Sequence, residues 1–174
     1  MTFEPLTFTF AGDGTVPNNP TLPVLLYRDA IDVATARDPE STIEQTFMAN
    51  GWGHRLWRDG IFPHTHFHSA THEVLGIARG PARVRLGGAP GEEVELKAGD
   101  VIVLPAGTGH QRISGTDDLS VIGGYPAGGR YDLLRSRQAE DDPLLKAIAN
   151  VPLPDGDPLF GADGPLLKLW NPKP

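Results

Sequence analysis

The most restrictive feature of this 174-residue sequence is a two-residue alternation of apolar and charged side chains near its middle. Ala82, Val84 and Leu86 alternate with arginines, and Val94 and Leu96 alternate with glutamates. Successive side chains of a β-strand point to opposite faces of the sheet, so this pattern predicts two half-buried antiparallel strands. The sequence GGAPG at residues 87–91 predicts the turn that connects them.

Further short apolar runs predict additional strands. Residues 101–104 form a continuous apolar run without alternation, which is typical of an interior strand, and residues 22–27 and 119–123 are shorter candidates. The chain also contains 21 glycines and 17 prolines, which favour many turns. Together these features predict an all-β sandwich or barrel, in which closure would remove exposed strand edges.

Outside this region the sequence predicts two extensions with little regular structure. We predict an N-terminal arm with a short strand and a helix at residues 1–51, a barrel core at 52–125, and a C-terminal extension at 126–174. The N-terminal helix runs from Asp38 to Met48, with Pro39 in its first turn and Gly51 at its end. A second helix is predicted at residues 143–150, and the rest of the extension predicts loop.

Composition argues against several classes of partner. The formal charge is -7 and the isoelectric point is near 5.2, without any basic run, so we expect no nucleic-acid partner. No segment approaches the roughly 20 apolar residues of a spanning helix, and the N-terminus lacks a signal-peptide pattern, so we expect a cytoplasmic protein without a membrane partner. The chain has no cysteine, so any metal must be held by nitrogen and oxygen ligands.

Residues 64–73 concentrate groups that bind metals. This stretch of ten residues contains four histidines and one glutamate: His64, His66, His68, His72 and Glu73. Imidazole and carboxylate groups are common ligands of divalent transition metals, so a metal site is the first interpretation. His66 and His68 are two residues apart and therefore project from the same face of a strand.

The spacing of these residues forms two motifs. The first is Gly-x5-His-x-His-x4-Glu-x6-Gly over residues 60–80, and the second is Gly-x5-Pro-x-Gly-x2-His over residues 99–110. Together they resemble the two motifs of the cupin superfamily. The match departs at Ser114, where the family has asparagine. Three further stretches resemble the YjlB-like cupins: PNNP at residue 17, HSATHEVLG at residue 68, and DPLFGADGPL at residue 157.

This resemblance implies a fold and a ligand set. The fold is a cupin-type (RmlC-like) antiparallel β-barrel, also described as a double-stranded β-helix or jelly roll, with N- and C-terminal extensions and one or two short helices. The implied ligands of one divalent metal ion, whether Fe, Mn, Ni, Zn or Cu, are His66, His68, Glu73 and His110. The family habit and the long arms also favour a homodimer.

Several of these side chains have alternative interpretations. His64 shares the strand parity of His66 and His68, so it either lines the cavity as a catalytic acid, base or hydrogen-bond donor, or stands exposed at the start of the strand. His72 is expected to point the opposite way from Glu73 and to make a structural hydrogen bond; a register bulge would instead make it a substitute ligand. The carboxylate of Glu73 either binds the metal or orients its ligands.

Other residues are candidates for the cavity wall or for the core. The aromatic candidates are Phe62, Phe67, Trp57 and Tyr125, whereas Arg79 or Arg112 either contacts an anionic group of a ligand or belongs to a solvated face.

The implied ligand set permits more than one function. Three imidazoles and a carboxylate leave up to two positions open on a six-coordinate ion. With Fe or Cu the site would support dioxygenation, and with Mn, Ni or Zn it would support isomerisation, epimerisation or decarboxylation. The leading hypothesis is a metal-dependent enzyme, an oxygenase or isomerase, acting on a small polar molecule in the barrel cavity. The alternatives are a noncatalytic module that binds or senses a small molecule or metal, and a metal-free barrel.

Overall fold

The structure is a computed structural model that describes residues 3–137 and 142–171. Residues 1–2, 138–141 and 172–174 of the predicted extensions lie outside the described residues. The helices and strands are, in chain order, β1 Leu6–Phe8, β2 Val24–Tyr27, α1 Pro39–Ala49, β3 His54–Asp59, β4 Glu73–Arg79, β5 Ala82–Leu86, β6 Glu92–Leu96, β7 Val101–Leu104, β8 His110–Gly115, β9 Ser120–Tyr125, α2 Asp142–Ala149 and α3 Pro165–Trp170.

The strands form two antiparallel sheets. The large sheet has six strands in the order β1-β2-β7-β4-β9-β3, and the small sheet has three in the order β6-β5-β8. Strands that are distant in the sequence are therefore neighbours in the sheets, as in a jelly roll. The predicted all-β class is confirmed, in the form of a jelly-roll sandwich.

The central strands of the large sheet, β2, β7, β4 and β9, are buried on both faces, which explains their continuous apolar runs. In β2, Leu25 and Tyr27 belong to a core cluster that also contains side chains of α1 and α3. Val24 and Leu26 belong to a second cluster, which fills the space between the two sheets. Because water is excluded from both faces, no position in β2 is left for a polar alternation.

Helix α1, whose existence the sequence predicts, covers one face of the large sheet. The Asp38 side chain caps the helix by accepting a hydrogen bond from the backbone N–H of Ser41 at 3.0 Å. Ile43 is fully buried against β4 at Gly76, where an added Cβ would lie 2.7 Å from Ile43 Cγ2. Glycine at this position therefore permits the close approach of helix and sheet.

Each extension contains one element that the sequence does not predict, β1 in the N-terminal arm and α3 in the C-terminal extension. The predicted strand β2 pairs with β7 through Leu25 and Val103, which joins the N-terminal arm to the large sheet. The prediction of loop is wrong for Pro165–Trp170, which forms α3. This helix has only six residues, and burial of Leu166 and Trp170 stabilises it where a side-chain cap is absent. Among the described residues, no helix is long and apolar enough to cross a membrane.

Candidate metal centre

A short antiparallel pairing brings the two motifs together. The backbone N–H of His66 donates to the carbonyl of His110 at 3.1 Å, and the N–H of His110 donates back to the carbonyl of His66 at 3.0 Å. This pairing continues the small sheet beyond β8 and places the two imidazole rings 4.0 Å apart between centroids. His68 follows two residues later, with its ring centroid 5.9 Å from that of His66. Local strand geometry therefore gathers three histidines.

Each of these three rings is oriented by a backbone carbonyl. The Nδ1 atoms are hydrogen-bonded as follows: His66 to the carbonyl of His64, His68 to that of Asp132, and His110 to that of Thr108. A ring nitrogen must carry a proton to bond a carbonyl, so these contacts leave Nε2 as the coordinating atom. The three buried histidines offer ligand atoms within 4.8 Å of one another, and they form a group that can hold a metal ion.

Glu73 joins this group from the first position of β4. Its Oε2 lies 3.1 Å from Nε2 of His68 and 3.2 Å from Nε2 of His110. Its Oε1 accepts a hydrogen bond from the Tyr125 hydroxyl at 2.9 Å, and that hydroxyl accepts one from the Trp57 indole at 3.1 Å. The structure thus brings all four predicted ligand residues together and fixes the orientation of the carboxylate.

Burial and charge set the protonation of the group. Burial, together with the neighbouring His110, lowers the pKa of His66 to about 3. Burial also opposes the charge of His68, but the negative charge and hydrogen bond of Glu73 outweigh it and raise the pKa of His68 to about 9. Burial of Glu73 is outweighed in turn by His68 and His110, which hold the pKa of its carboxyl well below the usual range. Without a metal, Glu73 and His68 therefore form a buried ion pair.

The N-terminal arm positions the loop that precedes His110. The Asn18 side chain accepts from the N–H of Gly109 at 3.0 Å, and the Asn19 side chain donates to the carbonyl of Ala106 at 2.9 Å. The sequence predicts an arm here, and PNNP at residue 17 contributes to the family resemblance, but neither assigns a role to Asn18 or Asn19. The paired asparagines were the available signal, because asparagine adopts the left-handed conformation of Asn18 (φ 52°) more readily than most residues.

Asp132 is a second supporting residue that the sequence did not reveal. Its carboxylate accepts hydrogen bonds from the N–H of Ser69 at 2.9 Å and of Ala70 at 3.1 Å, and its carbonyl bonds the His68 ring. These contacts hold the turn between His68 and β4. Asp132 lies in an irregular segment more than 60 residues from its partners, so no local pattern identifies it.

His64 lies beside this group but not on the cavity. Its partly exposed ring stacks on Phe62 with a centroid separation of 5.1 Å, and it is absent from the residues that line the cavity. Within the described part of the chain, its Nε2 is buried and makes no hydrogen bond. The catalytic role of His64 stays a prediction.

His72 is fully buried on the opposite side of β4 from Glu73. Its Nδ1 accepts from the N–H of Ala106 at 3.0 Å, and its Nε2 lies 3.1 Å from the carbonyl of Pro152, to which it donates. The ring packs on Trp170, and burial lowers its pKa to about 4. Both nitrogens are thus engaged with backbone groups, which favours the structural interpretation over that of a substitute ligand.

A cavity of about 580 Å³ adjoins the histidine group. Its volume is in the range of sites for small molecules. Of the four aromatic candidates for the cavity wall, Phe67 does not line the cavity and is fully buried in the protein interior. The cavity is lined by Arg55, Leu56, Trp57, Arg58, Asp59, Gly60, Ile61, Phe62, His66, His68, Glu73, Leu75, His110, Tyr125 and Tyr131.

Comparison with known proteins decides the family. No protein-family model matches the chain. A protein of Bacillus subtilis (strain 168), "Uncharacterized protein YjlB", is 37% identical over 171 residues, which cover 98% of this chain and 99% of that protein. The chain belongs to the YjlB family of single-domain cupins. The match includes the two cupin motifs and extends over both the N-terminal and the C-terminal extension of this chain.

Similar solved structures are more distant from this cupin. Acireductone dioxygenase from Bacillus anthracis is 17% identical, covering 61% of this chain and 80% of that one, with a TM-score of 0.43. The TDP-quinovose 3,4-ketoisomerase WlaRB from Campylobacter jejuni is 18% identical, covering 53% and 74%, with a TM-score of 0.40. Similarity at this level does not indicate the activity of the YjlB-family chain.

Proposed function

We propose that this cupin binds one divalent metal ion through His66, His68, His110 and Glu73, and that it is an enzyme acting on a small polar molecule in the adjoining cavity. One observation carries the proposal: three oriented imidazoles and a buried carboxylate oxygen meet at the wall of a cavity large enough for a substrate. A purely structural cluster has no need of such a cavity.

The residues present fit a divalent transition metal. Three nitrogen donors and one oxygen donor suit Fe, Mn, Ni, Zn or Cu, and the sequence contains no thiolate that would select otherwise. The carbonyl bonds at Nδ1 fix ring orientation in the way that the outer partners of metal-bound histidines commonly do. A cation would also neutralise the buried charge of Glu73, which His68 alone balances without it.

The surrounding side chains have definable roles in such a site. When bound, the metal supplies a Lewis acid or, if it is Fe or Cu, a centre for dioxygen chemistry. Burial and the charge of Glu73 raise the pKa of Tyr125, so its hydroxyl keeps its proton and holds Oε1 of the carboxylate. Only Oε2 then faces the histidines. Trp57 and Phe62 provide apolar walls of the cavity.

Dioxygenase chemistry and isomerase or epimerase chemistry both use these features. The second candidate function is a noncatalytic module that binds or senses a small molecule or metal. The cavity beside the donors favours the enzyme, because four protein ligands leave up to two positions of a six-coordinate ion for substrate oxygen. We also propose a cytoplasmic homodimer, and light scattering over a range of concentrations tests the dimer: a monomer throughout would refute it.

Metal content tests the proposal directly. Untagged protein purified without chelator should contain about one equivalent of a divalent metal by elemental analysis. The double variant His66→Ala/His110→Ala should lose it, because two of four donors are removed. The control His54→Ala removes an exposed histidine of β3 and should retain the metal. No metal in the wild type, even after reconstitution with each candidate ion, would refute the metalloenzyme.

The identity of the metal then directs the search for activity. Fe or Cu would direct screening to oxygen-dependent reactions, whereas Mn, Ni or Zn would direct it to Lewis-acid reactions. Spectroscopy of the loaded protein separates the enzyme from the noncatalytic module: an exchangeable water on the metal supports the enzyme, and a coordinatively filled ion supports the module.

A further inference from the structure

Arg55 occupies a strained position at the edge of the cavity. In the pairing of β3 with β9, His54 faces Tyr125 and Trp57 faces Gly123, so β3 contains one extra residue there. Arg55 lies within this bulge and has a φ of 50°, a left-handed conformation that arginine adopts rarely. Bulges next to active sites commonly redirect a side chain, and Arg55 lines the cavity here.

Among the residues that the structure describes, no carboxylate is paired with the charge of Arg55. Of the two arginines that line the cavity, Arg58 forms hydrogen bonds to both carboxylate oxygens of Glu44, at 2.6 and 2.8 Å. Within residues 3–137 and 142–171 the Arg55 side chain forms no ion pair or hydrogen bond; its guanidinium carbon lies 4.9 Å from the centroid of the Tyr131 ring. A ring face orients the guanidinium while its N–H groups remain available to a ligand.

Arg79 and Arg112, which the sequence analysis named as candidates to contact an anionic group of a ligand, have other partners. Arg79 is paired with Glu40 at 2.8 Å, and Arg112 donates to the carbonyl of Ile61 at 2.9 Å. Neither residue lines the cavity. Arg55 is therefore the available cation for a ligand there, in a protein whose net charge of -7 would otherwise repel an anion.

Tyr131 links this cation to the histidine group. Its ring centroid lies 5.3 Å from that of His68 and 5.5 Å from that of Tyr125. One aromatic ring thus separates the guanidinium of Arg55 from the proposed metal position. A short molecule can therefore place an anionic group at Arg55 and an oxygen at the histidines at the same time.

We infer that the substrate is a small hydroxy acid or oxo acid, whose carboxylate Arg55 binds and whose hydroxyl or carbonyl oxygen faces the histidine group. The fork of N–H donors in a guanidinium matches the two oxygens of a carboxylate. This substrate class rests on the proposed function, because it assigns the second oxygen to the metal-bearing end of the cavity.

The test compares a charged probe with its neutral analogue. Calorimetric titration of the metal-loaded protein uses 4-hydroxybutyrate and 4-hydroxybutyramide, which share the hydroxyl and differ in charge. The main variant is Arg55→Asn, since asparagine tolerates left-handed backbone and should leave the melting temperature equal or higher. It should weaken binding of 4-hydroxybutyrate about tenfold or more and leave binding of the amide unchanged.

Two matched variants sharpen this measurement. Arg58→Gln removes the other arginine of the cavity, and it should weaken 4-hydroxybutyrate binding less than about twofold, because Glu44 already holds that guanidinium. Arg55→Lys keeps the charge but loses the paired N–H donors, so its affinity should fall between those of the wild type and Arg55→Asn.

Three outcomes would overturn the inference. Equal affinity of the wild type and Arg55→Asn would mean that Arg55 does not contact the carboxylate, and an equal loss in Arg58→Gln would indicate a general field effect. Tighter Arg55-dependent binding of inorganic phosphate than of 4-hydroxybutyrate would replace the carboxylate by a phosphate. Metal content of each preparation is measured separately. If 4-hydroxybutyrate binding depends on Arg55 in protein that takes up no metal, the proposed metal-dependent function is refuted, but the role of Arg55 in binding the carboxylate is not.

Discussion

Histidine side chains are buried on both faces of the large sheet, but the hydrogen bonds of their ring nitrogens differ between the two faces. On the face covered by α1 and α3, both ring nitrogens of His72 bond to backbone groups. On the face toward the small sheet, the rings of His66, His68 and His110 each bond one backbone carbonyl through Nδ1. Within the described part of the chain, no backbone group bonds their Nε2 atoms. Burial alone does not mark a metal site; convergence of the second ring nitrogens does.

The same strand supplies both faces. Along β4, Glu73, Leu75 and Ile77 face the space between the sheets, and the two apolar residues belong to its core cluster. The candidate metal centre is therefore the polar end of an otherwise apolar layer. The side chains of the candidate metal centre are packed against this apolar layer. His72, by contrast, stabilises the opposite face through its own contacts with Ala106, Pro152 and Trp170.

The largest effect that separates the two faces is expected for His72→Ala. The change leaves the N–H of Ala106 and the carbonyl of Pro152 without partners and opens a cavity beside Trp170. We expect the free energy of unfolding to fall by about 3 kcal/mol. Metal content per folded molecule should stay near the wild-type value. Chemical denaturation of the metal-free protein and elemental analysis measure the two quantities.

His72→Gln serves as the control for this change. The glutamine amide can accept from Ala106 and donate to Pro152, so part of the lost stability should return. If both variants fold but lose the metal, then His72 belongs to the metal centre and the contrast between the two faces is wrong.

A smaller effect is expected for the opposite face from Tyr125→Phe. This change removes the hydrogen bond to Oε1 of Glu73 but keeps the aromatic ring, so the carboxylate loses its fixed orientation. We expect metal affinity to fall about tenfold, as is usual for loss of a partner of a metal ligand. Titration of the metal-free protein with the ion found in the wild type measures this change.

Tyr131→Phe is the matched control, because the Tyr131 hydroxyl makes no hydrogen bond in the part of the chain that the structure describes. It should leave metal affinity within about twofold. An equal loss of affinity in both variants would show that the effect arises from the polarity of the cavity and not from Glu73.

The sequence predicted the four candidate ligand residues better than the residues that position them. His66, His68, Glu73 and His110 were predictable because the two short motifs resemble those of the cupin superfamily, which implies this ligand set; strand parity alone relates only His66 to His68. Asn18, Asn19 and Asp132 were not, because their partners are separated by more than 60 residues in the chain.

Other misses have local causes. Arg55 has an ordinary sequence context, and only the bulge of β3 turns it toward the cavity. Alternation predicted β5 and β6 well, since each has one exposed face, whereas the six-residue helix α3 is too short for a periodic pattern.

The smallest effect concerns the helix that covers the His72 face. Asp38→Ala removes the side-chain cap of α1, and we expect Tm at pH 7 to fall by about 2 to 4 °C without a change in metal affinity. The hydrogen bonds from Ser41 lower the pKa of Asp38, so the capping contribution is fully present above the unfolded-state pKa of about 4 and is lost as the pH falls through the lower folded-state pKa.

The pH series distinguishes a cap from a general effect of the substitution. The difference in Tm between wild type and Asp38→Ala should therefore be constant from pH 7 to 5 and should vanish once the pH falls below the lowered pKa of Asp38. Calorimetry across this range measures it. A difference that persists at low pH would mean that the carboxylate does not act as the cap. A parallel loss of metal affinity would mean that the helix-covered face and the metal centre are coupled through β4.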